Sequence, residues 1–405
     1  MKTFIKLCLQ LVIVCYIGCV VAVEPLYVLG FKAVGDQDEE LSGVLVLSKY
    51  DFAKNTWKDY IFSSQEIILE VGFYTPIYVY DSRVYCLIKN SLQDYTLYIF
   101  DHDLTLLIKK TIEVQVVPKS GLYVDNQGIF VGGVFRDEVG SLKDVKLFKY
   151  DLLGNFDKSL SLVDFRDNSI FYPVSFQKDQ GLLYVSGYLE NDESATVFGG
   201  LKYLGVDPRS LQEKKSRQQK DLIQIDDTVF ELSICFIKGS FGYMLTASNQ
   251  LAIVRLQDMV TINTVEIPVE QTIYQVQVDG NKLLILSAEE GFDGKSILYE
   301  YSLSGKLLFS QELNSNDQEI YESYTCFNIQ KGKAYFVGVG FGYNSVYRLI
   351  NQLSDNLRQS TLIGKENIET SIYFPITCAS EEGRNLQNLQ RFSPLSFQRG
   401  SGFRF

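Results

Sequence analysis

The sequence predicts an all-β fold, a seven-bladed β-propeller in which a C-terminal strand completes the N-terminal blade. Three observations carry this expectation. One β-hairpin pattern recurs along the chain. A third strand, a tight turn and a fourth strand follow it. The first unit lacks a first strand, and one reappears alone near the C-terminus. Composition agrees, since 27 Phe and 26 Tyr stand against one Trp, and aromatic residues suit a pleated, half-buried surface. With 405 residues, 46% of them apolar, the chain has ample material for a large ring of sheets.

In chain order, residues 1–22 read as a signal peptide. Lys2 and Lys6 supply the positive start, Leu7 to Val23 is apolar apart from Gln10, and Val20-Val21-Ala22 offers small residues for cleavage after Ala22. The apolar run falls short of the roughly 20 residues that span a bilayer, and an uncleaved N-terminal anchor is the alternative. The mature chain is therefore expected in the secretory lumen or outside the cell, with no membrane span after cleavage.

The propeller is expected over residues 23–383. LYVLGF (26–31) reads as a second strand, with GVLVLSKYD and NTWKDYIF as third and fourth. Six hairpins follow: YTPIYVYDSRVYCLIK from Tyr74, LYVDNQGIFVGGV from Leu122, YPVSFQKDQGLLYVSGY from Tyr172, LSICFIKGSFGYMLTA from Leu232, YQVQVDGNKLLILSA from Tyr274 and YTCFNIQKGKAYFVGVG from Tyr324. Each joins an alternating first strand to a denser apolar second strand through a turn of Asp, Asn, Lys or Gly. Third strands and their turns read TLYIFDHDLTLL (96–107), VKLFKYDLLGNF (145–156) and ILYEYSLSGKLL (297–308), where Gly supplies the positive φ of the reversal. SIYFPITCAS (371–380) has first-strand character with no second strand behind it. Placed beside the N-terminal strands, it closes the ring and leaves no open edge at the join. Residues 204–225 are expected as an insert in blade four, whose basic stretch suits a helical turn or a flexible protrusion.

The hairpin ending Tyr/Phe-Val-x-Gly, followed by a Tyr-Asp-x-x-Gly turn, resembles the units of repeat β-propellers of the SBBP and NHL type across roughly residues 24–380. The resemblance implies the fold. It singles out no function, because propellers host binding modules, enzymes and scaffolds alike.

Searching for catalytic chemistry yields little. The sole histidine, His102, lies in the turn DHD and reads as a solvated turn residue, and one histidine cannot build a His-rich metal cage. Cys8, Cys15 and Cys19 leave with the signal, whereas Cys86, Cys235, Cys326 and Cys378 remain, each inside an apolar run. Such a cysteine behaves as a small buried hydrophobe, although an even number in an oxidising compartment permits one or two disulfides.

Charge is more informative. A formal net charge of -11 argues against nucleic-acid binding, which needs a basic footprint. In a propeller the second-to-third loops and the blade-to-blade connectors share one face. The former carry Asp36, Asp38, Glu39 and Glu40, then Asp137 and Glu138, then Glu190, Asp192 and Glu193, then Glu289, Glu290 and Asp293. The connectors are acidic too, among them GKENIE (364–369), while the opposite hairpin turns carry Lys119, Lys178, Lys238, Lys282, Lys331 and Lys333. An acidic face attracts a basic partner or divalent cations, and weak calcium binding is compatible with clustered loop carboxylates; no other cofactor is expected. Residues 384–405 hold Arg384, Arg391, Arg399 and Arg404 without an acid, which suggests a disordered basic tail able to support self-association. The expected role is a secreted, non-catalytic binding or scaffold module for a protein or extracellular ligand. The alternative is a hydrolase or lyase using carboxylates and Tyr at the channel, which carboxylates on the first strands would favour.

Overall fold

The computed structural model describes residues 24–34, 42–62, 77–89, 95–112, 121–136, 142–162, 169–179, 181–191, 197–225, 235–245, 250–266, 271–289, 295–313, 320–330, 332–342, 345–353, 360–368, 372–380 and 389–390. Every element among them is a β-strand. Blade 1 contributes β1 (Leu26–Val34), β2 (Ser42–Asp51) and β3 (Thr56–Ile61), and blade 2 contributes β4 (Ile77–Tyr80), β5 (Arg83–Lys89), β6 (Tyr95–Asp101) and β7 (Leu106–Ile112). Blade 3 holds β8 (Leu122–Asp125), β9 (Gly128–Arg136), β10 (Leu142–Tyr150) and β11 (Phe156–Ser161), and blade 4 holds β12 (Ser169–Asp179), β13 (Leu182–Asn191), β14 (Val197–Val206) and β15 (Glu213–Ile225). Blade 5 comprises β16 (Cys235–Lys238), β17 (Phe241–Leu245), β18 (Gln250–Arg255) and β19 (Val260–Glu266), and blade 6 comprises β20 (Gln271–Asp279), β21 (Lys282–Glu289), β22 (Ser296–Ser302) and β23 (Leu307–Leu313). Blade 7 is β24 (Tyr321–Gln330), β25 (Lys333–Gly342), β26 (Ser345–Leu353) and β27 (Ser360–Asn367). Then come β28 (Ile372–Ala379) and the two-residue β29 (Leu389–Gln390).

The seven sheets form a ring, and blade 1 has the order β28-β1-β2-β3. Closure is an antiparallel ladder from Tyr27↔Ala379 to Ala33↔Ile372, as the split unit in the sequence requires. The ladder shifts register between Leu29 and Gly30, leaving Ile376 as a bulge. Matching register shifts in β12, β20 and β24 fall at Val174, Tyr274 and Thr325, so the bulge is a repeated feature of the inner strand. Two residues of the segment expected as a disordered tail, Leu389 and Gln390, pair with Val276 and Gln275 on the inner edge of β20.

Burial explains the strand grammar. Third strands lie between two neighbouring blades and are covered on both faces, as in β6, where Tyr95 to Phe100 are all buried. They therefore read as continuous apolar runs. Fourth strands meet solvent on one side, and β7, β11 and β23 alternate half-buried and exposed residues. Residues 204–225 are not an insert. They are the end of β14, a turn at Asp207 and the 13-residue β15, the outermost strand of blade 4. Its basic, amide-rich composition hides a strand because a solvated outer strand needs little apolar content; Lys214 and Lys215 are exposed.

The core is a set of apolar layers between blades. One runs through blades 3, 4 and 5 around Phe130, Phe176, Val185, Met244 and Val254; others join blades 1 and 2, 2 and 3, 5 and 6, 6 and 7, and 7 and 1. The six described turns between third and fourth strands, those of blades 1 to 6, each contain a residue at positive φ: Asn55, Leu104, Gly154, Leu211, Met259 and Gly305. Glycine takes this conformation without cost, and at Gly305 a Cβ would also meet the Asn263 amide nitrogen at 2.5 Å. The leucines and the methionine carry strain of about 1–3 kcal/mol there, offset by burying their side chains in the layers.

Candidate functional site

Antiparallel order within each blade sends the first strand toward one face and brings the second back. The second-to-third connections thus leave from the face opposite the hairpin turns. The segments carrying Asp36, Asp38, Glu39 and Glu40, then Asp137 and Glu138, Asp192 and Glu193, and Glu290 and Asp293 join strand ends at that face; these residues lie outside the described residues. Glu190 lies in β13, with its side chain outside the described set. Glu289, at the end of β21, is the candidate whose side chain is described. Its backbone N–H donates to the Lys295 carbonyl at 3.2 Å, and its carboxylate receives the Lys295 N–H at 3.5 Å, closing the base of the loop. The Lys295 ammonium turns away to Glu312 at 3.2 Å.

The connector GKENIE is placed differently from the expectation. Gly364 to Asn367 belong to β27, and Glu366 pairs with Arg348. On the hairpin face, Lys178 is bonded to Asp125 at 2.5 Å and Lys282 to Glu300 at 2.8 Å, so part of that positive charge is already neutralised.

His102 is a turn residue, as expected. Its ring is 62% exposed beside Asp103, while its backbone carbonyl accepts the Tyr27 hydroxyl at 2.9 Å. The same arrangement recurs where the Tyr243 hydroxyl donates to the Leu303 carbonyl at 3.0 Å. A second-strand tyrosine thus reaches the third-to-fourth turn of the next blade, a role the sequence pattern alone did not reveal. The turn aspartates are set by the turns themselves. Burial opposes ionisation of Asp101, but backbone N–H donors at Thr105 and Asp103 outweigh it and hold the carboxyl below the usual range. Asp151 behaves alike, with Asn155 as the main donor after the opposing burial. In Asp103 the chief cause of the lowering is the hydrogen bond from Lys49, across the blade 1–blade 2 boundary.

Around the channel, the buried polar side chains of the first strands include Ser175, Gln275, Gln277, Asn328 and Gln330. Gln275 has a structural task. Its amide nitrogen donates to the Phe327 carbonyl at 2.9 Å and its amide oxygen accepts the Phe327 N–H at 2.7 Å, capping backbone groups of β24 that its partner strand leaves unpaired. A carboxylate–tyrosine pair does occur on β24, where the Tyr324 hydroxyl donates to Glu322 at 2.7 Å. Tyr324 is fully buried, and burial followed by the Glu322 charge pushes its phenol well above the ordinary value, so it is a fixed donor rather than a base. No group of three metal-ligating side chains occurs among the described residues.

One dense polar cluster is not announced by the sequence pattern. Arg348 of β26 is buried, lies 4.5 Å over the Trp57 ring, donates to the Ser48 hydroxyl at 2.9 Å and to Asp59 at 2.7 Å, and pairs with Glu366. It joins blade 7 to blade 1. Nearby, the Tyr50 hydroxyl donates to the Ile363 carbonyl at 2.9 Å.

Fold and site together define a seven-bladed β-propeller closed by its C-terminal strand. No family model matches the sequence, and no curated protein matches it. Among solved structures, it is similar to the β-propeller domain of the Trilobed protease from Pyrococcus furiosus, a domain described as having an open velcro topology: identity 11%, TM-score 0.50, 85% of this chain and 93% of that one covered. BamB from Moraxella catarrhalis is similar at 9% identity and TM-score 0.42, covering 73% and 78%, and prolyl oligopeptidase B from Galerina marginata at 13% and 0.47, covering 82% and 48%. Such likeness speaks to the fold alone. No helix among the described residues is long and apolar enough to cross a membrane.

Proposed function

We propose that the chain is a secreted, non-catalytic β-propeller of the SBBP/NHL-like type that serves as a binding or scaffold module through an acidic loop face. The observation that supports this reading is the strand order: every segment holding the twelve candidate acids springs from strand ends on one face of the ring. Its partner is a protein or extracellular ligand with basic character, and weak calcium binding at the same loops belongs to the reading. The signal peptide delivers the chain to its compartment, and the basic tail offers a route to self-association.

A lysine-rich peptide serves as probe in a calorimetric titration at low and physiological salt. The wild type is expected to bind, and a variant with Asp137, Glu138, Glu290 and Asp293 changed to their amides is expected to lose binding at least tenfold. A control with Lys119, Lys238 and Lys333 changed to Gln should keep it. Equal affinity in all three proteins would count against the acidic face. Absence of heat with millimolar calcium would remove the calcium part of the reading.

A further inference from the structure

Two cysteines meet at the junction where the ring closes. Cys326 lies on β24, the first strand of blade 7, and Cys378 on β28, the first strand of blade 1. Both are completely buried, both are free thiols in this structure, as is Cys86, and both belong to the layer between these blades, with Val28, Val46, Val337 and Ile350. Their thiols therefore face one another's blade. The two strands are pinned on either side of them. The Thr325 hydroxyl donates to the Pro375 carbonyl at 2.7 Å, and the Ser380 hydroxyl donates to the Asn328 side-chain oxygen at 2.7 Å. Residue numbers rise together across these two bonds, so β24 and β28 run parallel. Cys326 and Cys378 share the 52-residue separation of Asn328 and Ser380, which places them opposite each other between the pins.

We propose that Cys326 and Cys378 form a disulfide that ties blade 7 to the closing strand of blade 1. The oxidant is a small disulfide such as oxidised glutathione. One cysteine thiolate attacks it and expels one glutathione thiolate; the second cysteine thiolate then displaces the other, giving one protein disulfide and two reduced glutathione molecules. In the folded chain, burial and then the hydrogen bond with Cys326 push the Cys378 thiol well above its ordinary value, so exchange belongs to the folding stage, when the strands are accessible. Once made, the bond is shielded from reductant. It acts as a structural staple rather than a switch, and it stands independently of the acidic-face reading. Cys86 supplies the contrast: it is equally buried, in the layer between blades 1 and 2.

The test refolds the full chain in a mixture of oxidised and reduced glutathione, alkylates it under denaturing conditions and maps the peptides by mass. The expected result is one linked pair joining the Cys326 and Cys378 peptides, with Cys86 alkylated. The oxidised protein should melt about 5 °C above the reduced one, a difference absent from a Cys326→Ala, Cys378→Ala variant. Recovery of both cysteines as separate alkylated peptides, or their linkage to Cys86 or Cys235, would overturn the proposal. A linked pair without any rise in melting temperature would overturn its role as a staple.

Discussion

The closing seam between blades 7 and 1 and the layer through blades 3, 4 and 5 do the same mechanical job with different chemistry. That layer is built of apolar side chains, with Phe176, Val185, Leu204 and Leu211 of blade 4 in one cluster with Phe130 and Leu147 of blade 3 and Met244 and Val254 of blade 5. At the seam an apolar layer is also present, but Arg348, Tyr50, Thr325 and Ser380 add directional bonds across it. The difference follows from connectivity. Blades 4 and 5 are each one continuous stretch of chain, whereas blade 1 is assembled from the two ends, and its register is not fixed by a turn. Directional bonds occur at other junctions too, as from Tyr243 to the Leu303 carbonyl and between Gln275 and Phe327, but at the seam they also specify a register that no turn sets.

That contrast can be broken from either side. The largest effect is expected at the apolar junction, where Phe176→Ala leaves a cavity and should cost about 3–5 kcal/mol in urea unfolding. At the seam, Arg348→Met should cost about 2–3 kcal/mol. The full loss for a broken buried pair is discounted here because the Asp59 and Glu366 side chains are 34% and 41% exposed and regain water. Changing Asp59 to Asn and Glu366 to Gln in the same chain should recover part of that loss, whereas no polar change should rescue Phe176→Ala. Tyr27→Phe and Tyr243→Phe remove equivalent bonds at two other junctions and should each cost about 1 kcal/mol. Unequal costs would show that the two tyrosines are not structural equivalents.

The smallest effect concerns acid. Asp51, Asp101 and Asp151 have folded-state carboxyls held below their unfolded value, so their contribution is present above about pH 4 and is lost as pH falls through the folded values. Chemical denaturation at pH 7 and pH 3 should therefore show a modest loss of stability, reduced in an Asp101→Asn, Asp151→Asn variant. A variant as acid-sensitive as the wild type would place the loss elsewhere.

Much of the ring was legible because its cause is local. A hairpin needs turn residues and a dense second strand, and both are written contiguously in stretches such as LYVDNQGIFVGGV. The split blade was legible for the same reason, as a strand type missing at one end and present at the other. Residues 204–225 were misread because an outer strand is specified by its neighbour's backbone more than by its own side chains. Arg348 could not be found by pattern: its partners Ser48 and Asp59 lie 300 and 289 residues away, and nothing near β26 announces them. His102 was read correctly as a turn residue, but the use of its carbonyl by Tyr27 depends on the ring being closed. The inner-strand bulges escaped notice because they fall on Val174, Tyr274, Thr325 and Ile376, β-branched or aromatic residues that any regular strand also favours.

Hydrogen–deuterium exchange along β1 tests ring closure most directly. With β28 on one side and β2 on the other, all backbone amides from Tyr27 to Ala33 are expected to be protected, to a degree matching the central strands of the other blades. An open ring would leave β1 as an edge strand, and exchange at unprotected rates on alternate amides of that stretch would contradict closure.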